Sequence, residues 1–140
     1  MRLVGFNFTK INVERFSEKA EKVKINTNID LIGLKEAKSN IFNLKETILG
    51  IKFIYKISYE PHLANLDLGG SLLISTDPNS AKEILKQWND KKLPEKFKIN
   101  LFNIILRKSN IKALQLEDEM NLPAHFSLPT LREPETEEKK

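Results

Sequence analysis

Apolar residues recur along this chain with two different periods, and the change falls near Thr76. Before it they alternate with polar residues. Val23, Ile25, Thr27, Ile29 and Leu31 interleave with Lys24, Asn26, Asn28 and Asp30, the pattern of a strand with one buried face. Ile51, Phe53, Tyr55, Ile57 and Tyr59 repeat it, and so do Leu66, Leu68, Leu72 and Ile74, with Gly70 on the same parity. The first strand is less regular. Val4, Phe6 and Phe8 share one parity and Ile11 and Val13 the other, with the slip at Thr9-Lys10. A bulge there keeps both groups on one face, whereas an unbroken strand sends them to opposite faces. Gly33 to Lys45 is mixed; it prolongs the second strand and then turns, with Ser39-Asn40 as the break. Glu60-Pro61-His62 makes a short turn, so the second, third and fourth strands form an antiparallel meander.

After Thr76 the period lengthens. Asp77-Pro78 is a helix start, with Asp as N-cap and Pro at the first helical position. Ala81, Ile84, Leu85 and Trp88 follow at helical spacing, and Leu93-Pro94 ends that helix and begins the next. Phe97, Leu101, Ile104 and Ile105 form the second helix's apolar stripe, with Phe102 beside it. Ile111, Leu114 and Met120 continue it unless Ser109-Asn110 interrupts. Asn121-Leu122-Pro123 is a stop, because proline disfavours helix in the residue before it. The pattern predicts an α+β fold: a four-stranded antiparallel sheet followed by two helices packed on one face. A single domain is expected over residues 1–128. Residues 129–140 are expected to be an extended, disordered tail, because nothing apolar remains to bury from Glu133 onward.

The Gly69-Gly70 pair sits inside the last strand. Glycine there weakens a strand, so it signals a bulge, a bend or close packing by a neighbour, and both residues are assigned a structural role. The apolar supply also exceeds what two helices can cover. Phe6, Phe8, Ile11 and Val13 in the first strand, and Leu122, Phe126 and Leu128 in the tail, have no obvious place beneath them. These seven are the candidates for binding an apolar partner; the alternative is that they seal a subunit interface or the core edge. A first-strand edge carrying Val4, Phe6 and Phe8 is expected to pair with another subunit.

Composition narrows the chemistry. With 140 residues, a one-domain size, the chain has no cysteine, which excludes disulfides, thiolate zinc sites and cysteine nucleophiles. No apolar run approaches the roughly 18 residues of a membrane span, and the alternating N-terminus does not read as a signal peptide. A cytoplasmic location is expected. The net charge of +4 invites a nucleic-acid reading, but the lysines are scattered over polar strand positions, as on a solvated surface. Phe6, Phe8, Phe53, Tyr55 and Tyr59 alternate with polar residues and read as core rather than as base-stacking platforms. His62 and His125 each lie close to a proline in a turn or tail and read as surface or structural. Glu117-Asp118-Glu119 reads as a solvated face. No glycine-rich phosphate loop or metal-ligand spacing is present. No catalytic residue, metal or cofactor is assigned, and the chain is not expected to be an enzyme.

The stretch Gly-Gly-Ser-Leu-Leu-Ile-Ser, residues 69–75, resembles the Gly-Gly-hydrophobic strand of SecB export chaperones. So does the order of four strands, a helix and a long helix. Gln115 to Leu128, with Asn121-Leu122-Pro123, resembles the family's short Asn-Leu-Ala-Pro stretch after the long helix. The resemblance implies an ATP-independent holdase that binds unfolded or pre-export polypeptides along hydrophobic grooves, or, as in some members, a chaperone of a toxin–antitoxin pair. It implies a homo-oligomer, a dimer or a dimer of dimers, with no nucleic acid and no membrane insertion. A plain dimerising adaptor and an RNA-binding sheet module are the competing classes. Three features depart from the family. Asn65 stands four before Gly69, where the export chaperones carry a glutamate that contacts the motor SecA. The tail lacks long acidic character and ends Lys139-Lys140, and the second helix runs on toward Glu119. These departures weigh against SecA docking more than against client holding.

Overall fold

The computed structural model describes residues 1–18, 22–37, 46–131 and 133–134. Among them, four strands precede two helices: β1 (Arg2–Arg15), β2 (Lys24–Ala37), β3 (Thr47–Glu60), β4 (Ala64–Thr76), α1 (Pro78–Trp88) and α2 (Glu95–Glu119). This is the α+β architecture that the periodicity predicts. The sheet is antiparallel in the order β1-β4-β3-β2. The meander β2-β3-β4 is present, and β1 returns to the far side of β4 in a Greek-key arrangement. The expected break at Ser39-Asn40 and most of the expected disordered tail lie outside the described residues.

One sheet face carries the core. On β3, Leu49, Ile51, Phe53, Tyr55, Ile57 and Tyr59 are buried, and on β4 Leu66, Leu68, Leu72 and Ile74 are buried opposite them. Two irregularities bring the edge strands onto the same face. In β1 the register shifts between Phe8 and Lys10, leaving Thr9 as the extra residue. Phe6, Phe8, Ile11 and Val13 then stand opposite Leu72, Gly70, Leu68 and Leu66, all on the core side. The bulge is therefore the observed solution to the parity slip. In β2 a second shift, between Leu31 and Gly33, pushes Ile32 out to 56% exposure while Leu31 and Leu34 both face the core.

Gly70 is where the sheet is tightest. A Cβ built there would lie 2.7 Å from the Phe53 ring and 2.8 Å from the Asn7 carbonyl oxygen. Phe53 is the cross-strand partner of Gly70, and its ring lies over the space a side chain would fill. The ring in turn packs on Phe6 at 5.5 Å, and Phe6 packs edge-on against Phe8 at 5.1 Å.

The helices cover this face. Asp77 caps α1, its carboxylate accepting from the Ser80 amide at 3.0 Å, a bond that holds the carboxyl below the usual carboxylate range. Ala81 and Ile84 are buried as α1 packs over β2 and β3. The 25 residues of α2 span roughly 37 Å. Its stripe is Phe97, Leu101, Ile105, Ser109, Ala113 and Leu116, so Ser109-Asn110 does not interrupt it. Ile111, expected on the stripe, is instead 53% exposed. The small Ser109 and Ala113 are fully buried; among the described residues the Ser109 hydroxyl has no hydrogen-bond partner. Both helices stop at a left-handed residue, Lys91 (φ 58°) and Asn121 (φ 54°). The Lys92 amide donates to the Gln87 carbonyl at 3.0 Å and the Leu122 amide to the Glu117 carbonyl at 2.8 Å, the closing bonds of two Schellman turns.

Candidate functional site

The seven candidate residues do not form one surface. Phe6, Phe8 and Val13 are half-buried against the core, and Leu122 is buried within it. Ile11 (47% exposed), Phe126 (42%) and Leu128 (49%) are open to solvent. The structure brings Phe6 and Phe8 together on β1; Phe126 packs edge-on against His125 at 4.8 Å.

The segment that carries Phe126 and Leu128 is held by a buried polar network. The Tyr59 hydroxyl donates to Glu117 Oε2. His125 Nδ1–H donates to the Glu117 carboxylate at 2.9 Å. His125 Nε2 lies 2.9 Å from Asn110 Oδ1 and 3.1 Å from the Tyr55 hydroxyl, which itself donates to Asn110 Oδ1 at 2.5 Å. These groups join β3, α2 and the segment after α2. Burial, and secondarily the Glu117 carboxylate, push the Tyr55 and Tyr59 hydroxyls well above their ordinary pKa of 10. Arg15, at the end of β1, adds a clamp: its guanidinium donates to the carbonyls of Met120 at 3.0 Å and Asn121 at 2.6 Å, and to those of Ser17 and Glu18. It thereby satisfies carbonyls that the end of α2 leaves free.

Reading Glu117 as part of a solvated acidic face is corrected here. Glu117 is buried, at 1% exposure, and one hydroxyl, from Tyr59, and one imidazole, from His125, converge on its carboxylate and offset the cost of that burial. His125 has 5% side-chain exposure and both ring nitrogens engaged, so it presents no free edge to a substrate. His62 lies exposed, stacked on Phe16 at 4.7 Å. Among the described residues no cluster of His, Asp or Glu has the makings of a metal site, and no helix is long and apolar enough to cross a membrane.

A feature absent from the sequence reading lies at the other end of α1. β2, the α1–α2 connection and the start of α2 enclose a groove of about 530 Å³. Ile29 and Leu31 face Trp88, Leu93 and Phe102 across it. Lys91 Nζ lies 4.6 Å above the Trp88 ring, and Lys98 Nζ lies 6.0 Å from the Phe102 ring. Past Trp88 and Lys91 the groove opens into a second depression of about 330 Å³, beside Ile32, Leu34, Lys35 and Lys52. The available signal was the Lys91-Lys92-Leu93 connection after the chain's lone tryptophan. Its meaning depended on which strand the connection would meet.

No family model matches this chain, and no curated protein matches it. Among solved structures, it is similar to the SecB-like chaperone Rv1957 of Mycobacterium tuberculosis, determined in complex with a ChAD peptide from the HigA1 antitoxin Rv1956. The TM-score is 0.50 at 13% sequence identity, over 96% of this chain and 92% of that one. The likeness is one of fold: a four-stranded antiparallel sheet followed by two helices.

Proposed function

We propose that this chain is a SecB-like molecular chaperone, an ATP-independent holdase that keeps unfolded or pre-export polypeptides from aggregating. The observation that carries the reading is apolar surface left open on a fold of the SecB type: Ile11, Phe16, Phe126 and Leu128 remain in solvent beside a two-helix cover. Burying apolar area stabilises by roughly 25 cal/mol per Å² and is non-directional, so a surface of this kind accepts many client sequences. In this reading the protein works in the cytoplasm as a dimer or dimer of dimers, with the edge strand β1 at a subunit contact. Asn65, on the sheet face away from the helices, carries no carboxylate where the export chaperones have a glutamate, which weighs against SecA docking. The Rv1957 likeness favours one narrower version, a chaperone dedicated to a toxin–antitoxin pair.

The test is light scattering of an unfolded reporter as it aggregates. Suppression is expected without nucleotide and unchanged by ATP. Phe126→Ser combined with Leu128→Ser, both at exposed positions, is expected to weaken it while the fold persists. Aggregation that proceeds at the same rate with and without the intact protein rules the reading out.

A further inference from the structure

We propose that residues 123–131 form a proton-gated strap. It lies closed while His125 carries a proton on both ring nitrogens, and it comes away when one of them is given up to water. The inference goes beyond the chaperone reading and does not depend on it. Every residue from Pro123 to Leu131 is exposed or half-buried, yet the His125 side chain is almost wholly buried. Among the described residues this stretch makes no backbone–backbone hydrogen bond. Its polar fastening there is the His125 imidazole alone, which reaches α2 and β3.

The site asks for two donors. Nδ1 faces the Glu117 carboxylate, 2.9 and 3.1 Å from its two oxygens. Nε2 faces the Asn110 side-chain oxygen at 2.9 Å and the Tyr55 hydroxyl oxygen at 3.1 Å, and the Tyr55 proton is already directed to Asn110 Oδ1. Both nitrogens thus meet acceptors, and only the imidazolium has a proton for each. Its charge also cancels that of Glu117, in a place where either alone would be costly. A neutral ring with its one proton on Nδ1 sets the Nε2 lone pair against Asn110 Oδ1. Turning the Tyr55 proton toward Nε2 strips Asn110 of its donor instead. The closed strap therefore binds one proton more than the open one. It is favoured at lower pH and lost as pH rises through the range in which histidine changes charge, about 5 to 8. The other groups at the cluster hold still there. Tyr55 and Tyr59, from β3, stay protonated, because burial first and Glu117 next push them above 10. Arg15, from the end of β1, keeps its charge and holds the Met120 and Asn121 carbonyls where the strap begins. Asp118 and Glu119, the remaining carboxylates at the end of α2, are exposed.

The chain has no cysteine, so Ser127→Cys, at an exposed position, takes a single nitroxide label. Its electron paramagnetic resonance spectrum is recorded in the full chain from about pH 6 to about pH 8.5. The ratio of mobile to immobile label is expected to rise roughly tenfold or more across that range, while far-UV circular dichroism stays constant. On a His125→Gln background the label is expected to show no transition. On an Asn110→Asp background, which sets a second carboxylate beside the ring, the transition is expected to move up by about one pH unit. His62→Gln, which removes the other histidine, should leave the transition where it is. A label equally mobile at both ends of the range overturns the strap. So does a transition that survives His125→Gln, one that His62→Gln abolishes, or one that Asn110→Asp leaves in place. Loss of circular dichroism in step with the label overturns a local release, since the whole domain is then what responds.

Discussion

Glu117 is the residue whose removal should be felt most. Its carboxylate accepts from the Tyr59 hydroxyl and from His125 Nδ1–H, and all three side chains are buried. Glu117→Ala strands both donors where water cannot reach them and leaves a void in their midst. Each unsatisfied buried polar group costs about 1–3 kcal/mol, and breaking a buried hydrogen-bonded pair by deleting one member costs about 3–5 kcal/mol. We expect a loss of about 3–5 kcal/mol, a large share of the stability of a domain this size. Glu117→Gln keeps one carbonyl acceptor of nearly the same shape and should cost about 1–2 kcal/mol. Tyr59→Phe, which removes a donor and leaves His125 on the carboxylate, should cost about 1–2 kcal/mol. Urea unfolding followed by Trp88 fluorescence gives the ordering directly; with a slope of about 2 kcal/mol per molar, Glu117→Ala should move the midpoint by about 2 M. A Glu117→Ala protein within about 1 kcal/mol of the parent, or one no less stable than Glu117→Gln, refutes the argument that the carboxylate is held by these donors.

Three further outcomes follow from the packing. Gly70→Val should lose about 1–3 kcal/mol by thermal melting, since its Cβ would meet the fully buried Phe53 ring at 2.7 Å and a backbone oxygen at 2.8 Å; an unchanged melting temperature contradicts the tight approach. Ser109→Ala should stabilise by up to about 1 kcal/mol, because it deletes a buried hydroxyl that lacks a partner; a loss in urea titration would show that the hydroxyl is satisfied. Tyr55 and Tyr59 are held protonated above their ordinary pKa of 10, first by burial and then by Glu117, whereas the unfolded chain ionises them near that value. Their contribution is therefore full below pH 10 and is lost as pH rises beyond it, and Tyr55→Phe with Tyr59→Phe should flatten the alkaline limb of a stability–pH curve.

The parts of the fold that were legible are those whose pattern is local. β3 and β4 announced their buried faces by strict alternation, and Asp77-Pro78 announced α1. The slip at Thr9 left two arrangements open, because parity alone cannot say whether a strand bulges or turns its apolar surface over. The shift at Ile32 gave less warning: the displaced residue is itself apolar, so the run Leu31-Ile32 looks like a continuous core strand. Ser109 and Ala113 were missed on the α2 stripe because small residues carry little weight in an apolar count, although they bury as completely as leucine there. Glu117 resembled its neighbours Asp118 and Glu119, and what buries it are partners on β3 and beyond the helix end. The lysine-rimmed groove depends wholly on which strand the helix connection meets. Lys91 and Lys92 were, in one dimension, two more surface lysines.

The strand order has a consequence for how the molecule is born. β3 and β4 can each zip onto the strand made just before it. β1 has no such neighbour: every ladder bond it makes in this sheet is to β4, from Arg2 opposite Ser75 to Arg15 opposite Ala64. On a ribosome adding roughly 5–20 residues per second, the first strand emerges seconds before the segment that will receive it. Throughout that interval Phe6, Phe8, Ile11 and Val13 travel without the strand that they pair against. Slow closure of such a long-range pairing should limit the folding rate. The newborn protein then spends its first moments as an apolar, unpaired polypeptide, the very material its finished form is proposed to shelter.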